Sequence, residues 1–213
     1  MSKNGVCGDQ WVKRGTPRRG KGGGGMEYGE GERLYRQYLE GDEASLDGVI
    51  LRYKDGLIRF LHYLVRDWHT AEDLSEDCFV ELIVHPRRYR FQSSLKTYLY
   101  AVARHKAMSH LRRRTALPLL SLDALSGGEE ADGPAFSEAA GRERREALLG
   151  ALKSLPRDYG TVLYLRYFEG LSSEEISRVM KKSLKQVYNL SSRAKNALKT
   201  RLEKDEWPYE TAF

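Results

Sequence analysis

Residues 85–114, HPRRYRFQSSLKTYLYAVARHKAMSHLRRR, hold nine Lys and Arg and four Tyr and Phe, with no Asp or Glu. Cations grip phosphates and an aromatic ring accepts an unstacked base, so this combination suits an unpaired nucleic-acid strand. Arg87, Arg88, Arg90 and Lys96 supply the charge. On a helical wheel Leu95, Leu99, Val102 and Ala103 share one face, which points Tyr98 and Tyr100 away from it and into solvent. Tyr89 and Phe91 admit two readings, as part of the strand-holding surface or as pins that fix the loop to the core.

A second cationic block, residues 176–202, has eight basic and no acidic groups. It lies within GLSSEEISRVMKKSLKQVYNLSSRAKNALKTRL, residues 170–202, where Ser172 with Glu175 and Ser183 with Gln186 are capping-box pairs that start two helices eleven residues apart. Ile176 and Val179 give the first helix a buried side, and Val187, Leu190, Ala194, Ala197 and Leu198 give one to the second. A short helix, a tight turn and a longer helix form a helix-turn-helix. Lys185, Gln186, Tyr188, Asn189, Ser192 and Arg193 then lie outward, near the end that meets base edges in a major groove.

A third surface is acidic. On a helix over about 71–84, with Ala71, Leu74, Cys78 and Leu82 inward, Glu72, Asp73, Glu76 and Asp77 surround an outward Val80. Such a ridge fits a basic protein partner, with Val80 as an apolar anchor.

These surfaces must be held by helices, because no alternation of period two is convincing from Glu32 onward. Val49, Ile50, Tyr53, Leu57, Leu61 and Leu64 mark a long amphipathic helix. Thr70, with Asp73 three residues on, is the expected N-cap of the next helix, and Pro86 ends it. A helix over about 94–114 follows. Leu148, Leu149, Leu152 and Leu155 precede Pro156, and a further helix holds Val162, Leu163 and Leu165 with Gly170 as its expected C-cap. The fold expected is all-α: two small helical domains, 26–114 and 142–204, joined by a flexible linker over 115–141. The Gly-rich tail 1–25 is expected to be disordered, with Met26 the favoured start, and 205–213 forms a short C-terminal tail.

Of the chain's formal charge of +6, the tail carries +5, so the segregation of charge matters more than its sum. Neither a signal peptide nor an apolar run of roughly eighteen residues occurs, which makes the cytoplasm, at the nucleoid, the expected compartment. Cys7 and Cys78 form no metal or redox pair, and Cys78 is expected to pack as a small apolar residue. His105 and His110 point to different sides of a helix, and His62 and His69 are roughly 10 Å apart along one. No metal or other cofactor is implied. No nucleophile with its base, catalytic carboxylate pair or phosphate-cradling loop stands out, so the chain is read as a non-enzyme.

AEDLSEDCFVEL, RFQSSLKTYLYAVARHKAMSHLRRR and LPRDYGTVLYLRYFEGLSSEEISRVM together resemble regions two and four of extracytoplasmic-function sigma factors, the two-domain members of the sigma-70 family. The resemblance covers residues 32–203. It implies that region two melts and reads the promoter minus-ten element and region four reads the minus-thirty-five element. Arg87, Arg88, Arg90, Phe91, Gln92 and Ser93 match the loop that captures a flipped base, with Lys96 beside it. Tyr98 stands where the family commonly has Trp. Lys185, Gln186, Tyr188, Asn189 and Arg193 match the minus-thirty-five contacts. Glu72, Asp73, Glu76, Asp77 and Val80 match the surface that docks on RNA polymerase core, at the clamp helices of its largest subunit, with the flap region and an anti-sigma factor as further candidate partners.

Glu76 and Asp77 replace a Gln and Glu common in the family. Lys181 and Lys182 stand in a turn that usually has Gly, where a forced positive φ costs on the order of 1 kcal/mol. A rival reading is a stand-alone helix-turn-helix regulator with an N-terminal sensing or dimerisation domain. It accounts for residues 170–202 but leaves the acidic ridge and the aromatic loop without a role.

Overall fold

In a computed structural model, residues 29–116 and 148–204 of the chain are described; the tail 1–25, the expected linker beyond Ala116 and the tail 205–213 lie outside them. Helix α1 (Glu30–Leu39) carries Glu30 and Glu32 in its first turn, where carboxylates complement the helix dipole. Helix α2 (Ala44–Val65) buries Val49, Tyr53, Leu57, Leu61 and Leu64 of the expected stripe, with Ile50 only half-buried, and also Phe60 and Tyr63. Arg66 ends it in the left-handed region at φ 60°, donating its N–H to His62 O at 2.8 Å.

Helix α3 (Trp68–Val84) begins earlier than expected. Its N-cap is Asp67, not Thr70: the Asp67 carboxylate accepts from the Thr70 N–H at 2.9 Å. A carboxylate at this place satisfies an orphan amide and also meets the positive end of the dipole, an advantage a hydroxyl lacks. Those hydrogen bonds hold the Asp67 carboxyl below its ordinary range. Val84 is the last helical residue, two before Pro86.

A single 3-10 turn (Pro86–Arg88) and a loop lead into α4 (Leu95–Ala116), which therefore runs into the start of the expected linker. Two groups fix its start. Ser94 Oγ accepts from the Thr97 N–H at 3.1 Å, and the buried Glu32 carboxylate accepts from the Leu95 N–H. Helices α1 to α4 pack into one bundle around Leu57, Leu61, Leu82, Leu95 and Leu99, with Cys78 fully buried and its thiol pushed up to about 12 by burial.

The second bundle comprises α5 (148–154), α6 (Arg157–Tyr167), α7 (Ser173–Met180) and α8 (Leu184–Lys204). Both expected capping boxes form. Ser172 and Glu175 exchange bonds of 2.9 and 3.2 Å, and Ser183 and Gln186 exchange bonds of 2.8 and 3.3 Å. The α6 helix ends at Tyr167 with Phe168 as its C-cap, not Gly170; Gly170 lies two residues beyond and, left-handed at φ 66°, lets the Leu171 N–H reach back to Leu165 O at 3.0 Å. In the turn between α7 and α8, Lys181 does adopt φ 53°. The Lys182 N–H to Ser177 O bond at 3.0 Å and the Ser183–Gln186 capping box that follows hold the chain in this turn and offset the cost of a side chain there.

The two bundles are not separate bodies. Tyr164 of α6 sits 5.5 Å from the Phe60 ring and stacks on Tyr63 at 4.7 Å, while Tyr63 donates to Leu152 O at 3.5 Å. Gly160 permits this approach, since a Cβ there would lie 2.0 Å from Tyr63 Oη and 2.7 Å from Leu152 O. Along the other side α7 packs on α4. Burial pushes the Glu175 carboxyl up, but bonds from the Ser172 backbone and from the Thr97 and Ser94 hydroxyls outweigh it and leave the group below its ordinary value of 4.5. Among the described residues, no helix is long and apolar enough to cross a membrane.

The buried Tyr35 hydroxyl donates to Leu82 O at 2.9 Å. That carbonyl would otherwise face Pro86, which has no N–H. Tyr35→Phe should therefore cost about 1–3 kcal/mol in urea unfolding, because it strands a buried acceptor; an unchanged midpoint would mean the carbonyl has another partner. Glu175, being depressed in the folded state, contributes stability that is complete above pH 4.5 and is lost as pH falls through its lower folded value. Glu175→Gln should flatten the acid limb of the stability curve, and an acid limb as steep as that of the parent protein would contradict this.

Candidate nucleic-acid interface

The outward face of α8 is built as expected. Val187, Ala194 and Leu198 are buried against α6 and α7, which leaves Lys185, Gln186, Tyr188, Asn189, Ser192 and Arg193 exposed. Leu190 and Ala197, expected inside, are half-buried. Gln186 has two roles, because its Oε1 accepts the Ser183 N–H and only its amide nitrogen remains for a base edge. A bidentate pairing with adenine would therefore require it to release the cap. Beside it Lys182 pairs with Asp158 at 3.1 Å.

The loop before α4 resolves the two readings of its aromatics. Tyr89 is a pin: it is buried, donates its hydroxyl to Ser93 O at 2.8 Å and packs on Tyr35 at 5.8 Å. Phe91 is held in the left-handed region at φ 54° and is half-buried, 4.7 Å from Tyr89, with the Arg36 guanidinium 5.1 Å from its centre. Arg36 was not legible as part of this cluster, because it lies in α1 and only the tertiary fold carries it there. Strain in a non-glycine residue at a loop tip is what a preorganised binding element shows.

Around these, Arg87, Arg90 and Gln92 are exposed and Ser93 is half-buried; Arg88 is exposed but paired with Glu81. Tyr98 is half-buried with its ring 5.1 Å from Tyr89, and burial raises its phenol above the ordinary value. Neither tyrosine stands out in solvent as expected, Tyr98 being packed at the edge of the core. Tyr100 does not face solvent; it is 1% exposed and its hydroxyl donates to Glu169 Oε2 at 2.5 Å. Its ring packs on Phe60 of α2 at 5.2 Å and its hydroxyl lies close over Gly56, so the first bundle takes in the ring and Glu169 of the second caps the hydroxyl. Lys96 turns the same way, its Nζ 2.7 Å from Glu169 O and 3.1 Å from Glu169 Oε2.

The acidic ridge of α3 is on the surface. Glu72, Asp73, Glu76 and Asp77 are exposed, Asp77 lying 3.5 Å from Lys106 Nζ, and Val80 is 53% exposed. Ile83 and Val84 extend the apolar strip past Val80.

Comparison with known proteins agrees with this layout. Residues 49–116 match Sigma-70 region 2, and residues 145–198 match Sigma-70, region 4. RNA polymerase sigma factor YlaC of Bacillus subtilis is 31% identical over 174 residues, covering 81% of this chain and 92% of that protein. The ECF RNA polymerase sigma factor SigM of the same species is 29% identical over 155 residues, covering 73% of this chain and 93% of that one. Among solved structures, CnrH in complex with the cytosolic domain of CnrY shares the fold, with a TM-score of 0.62 and 17% identity over 83% of this chain and 99% of that one. The sigma factor RpoE of Bartonella quintana, in complex with the anti-sigma factor NepR, also gives 0.62, with 22% identity over 74% and 96%. With both regions in order along one chain, and relatives matched over almost their whole length, the chain belongs to the extracytoplasmic-function group of the sigma-70 family.

Proposed function

We propose that this chain is the promoter-recognising subunit of an RNA polymerase, an alternative sigma factor that binds core, reads minus-ten and minus-thirty-five elements and opens the DNA between them. Sigma factors are regulators rather than catalysts, and melting needs no catalytic group. Flipped bases seated on protein and phosphates held by Arg offset an unstacking cost of a few kcal/mol. The observation that carries the proposal is the presence of two cationic surfaces of different kind on one chain: the α8 face for duplex and the loop before α4 for an unpaired strand.

Each surface then has a role. Lys185, Gln186, Tyr188, Asn189 and Arg193 read the upstream duplex. Arg87, Arg88, Arg90, Phe91, Gln92, Ser93 and Tyr98 take the melted strand, joined by Lys96 once it leaves Glu169. Glu72, Asp73, Glu76 and Asp77 dock on the clamp helices of the largest polymerase subunit, with Val80 at the centre, and the second domain meets the flap region. An anti-sigma factor is a further candidate partner. A stand-alone regulator is not favoured, because it leaves the ridge and the strained Phe91 loop unused.

Purified core polymerase with this protein should initiate from a random promoter library and select a two-part element. Asp73→Lys with Asp77→Lys should reduce both initiation and co-purification with core by ~10-fold or more; full activity in that variant would contradict the docking assignment. Tyr98→Ala should impair strand opening, read by permanganate footprinting, more than closed-complex binding. Equal loss in both would remove Tyr98 from the melting step.

A further inference from the structure

A cleft of about 490 Å³ opens between the C-terminal half of α4 and the second bundle. Its charged lining has one sign. Arg104 and Arg112 come from α4, Arg157 from the start of α6 and Lys181 from the turn after α7, with His105 beside them; none of the described residues lining it is Asp or Glu. Between Arg104 and Arg112, roughly 12 Å apart along the helix axis, Met108 and Leu111 form a half-buried apolar shelf packed against the core.

The cations at the Arg104 end are short of acceptors. Asp158 reaches them but is shared, 3.3 Å from Arg104 and 3.1 Å from Lys182. Those contacts draw Arg157 and Lys181, the chain neighbours of Asp158 and Lys182, to the same end. Among the described residues neither Arg157 nor Lys181 has an ion partner, and Arg104 Nε is buried with no acceptor. Lys181 also holds φ 53°, a conformation that Gly adopts without steric cost. A lysine at that position keeps an ammonium at the edge of the cleft that folding alone does not need.

We propose that this cleft binds a small organic diphosphate, with its phosphates held by Arg104, Arg157 and Lys181 and its apolar body lying along Met108 and Leu111. Guanidinium and ammonium groups make their strongest hydrogen bonds to such anions, and a diphosphate brings several acceptor oxygens to cations that the protein leaves short of them. The volume is that of a small-molecule pocket. A nucleic-acid backbone would leave the apolar shelf unused, and among the described lining residues no aromatic ring is present to stack a base. Because the cations come from both bundles, a bound ligand joins the two and stabilises their packing by mass action.

The test is isothermal titration calorimetry of the full chain with inorganic pyrophosphate, adenosine diphosphate and geranyl diphosphate. Geranyl diphosphate should bind saturably, at one site per chain, and roughly tenfold more tightly than either of the other probes, the effect of laying a few methylenes on apolar surface. At saturation it should also raise the thermal midpoint of the parent chain. Arg157→Ala should weaken binding about tenfold, the loss of a charge-assisted contact. Lys54→Ala removes an exposed lysine of α2 that does not line the cleft and should leave binding unchanged. Lys181→Gly separates binding from folding: relieved of its left-handed side chain, this variant should be at least as stable as the parent and still bind roughly tenfold more weakly. No saturable binding of geranyl diphosphate, affinity for pyrophosphate or adenosine diphosphate equal to it, or unchanged affinity in either cleft variant overturns the proposal. A chain in which Arg157→Ala and Lys181→Gly lower the binding of single-stranded DNA while no diphosphate binds saturably overturns it too, and gives the cations to a nucleic-acid backbone.

Discussion

The start of α4 sets the phase of everything the helix presents. Successive residues of an α-helix are rotated by about 100°, so a slip of one residue would swing Lys96, Tyr98 and Tyr100 onto different neighbours. Two independent acceptors prevent that slip: the Ser94 hydroxyl on the Thr97 amide, and the buried Glu32 carboxylate on the Leu95 amide. The second contact ties α4 to α1 and therefore to Tyr35, Tyr89 and Phe91, so the cap also sets where the loop aromatics lie relative to the helix. The capping box at Ser183 does the same for α8, holding Lys185, Tyr188, Asn189 and Arg193 on one outward face.

From this follows a division of labour along α4. Its inward face, Leu95, Leu99 and Ala103, completes the first bundle; its flank, Ser94, Lys96, Thr97, Tyr100 and Arg104, meets the second. A face rich in donors and poor in acceptors has to find anions, and in the free chain the second domain provides them. The α3 ridge and the α8 face stay exposed while the two bundles are packed together.

Much of this was legible in local sequence because the signals are local. Capping boxes at i and i+3 gave both helix starts of the helix-turn-helix, and the acidic ridge followed from helical period once Cys78 and Leu82 were placed inward. The Asp67 cap was missed because Thr70 and Asp67 are both capping residues, and only the dipole decides between them. Tyr100 was misplaced because a wheel measures its angle from the Leu95–Leu99 stripe and is silent about Phe60 and Gly56 of α2, on which its ring lies, and about the second body, whose Glu169 takes its hydroxyl. Tyr63, Gly160 and Tyr164, which bring that body in, lie on three different stretches and carry no joint pattern. The same reason hid Arg36 over Phe91.

The packing of the two bundles on one another is most directly measured by spin-label distances between Leu51→Cys and Tyr188→Cys on the full chain. One narrow distance is the result predicted for bundles joined by the Tyr63–Tyr164 stack and by the contacts of Glu169 and Glu175 with α4. A broad distribution, as from two bodies on a loose tether, would contradict it.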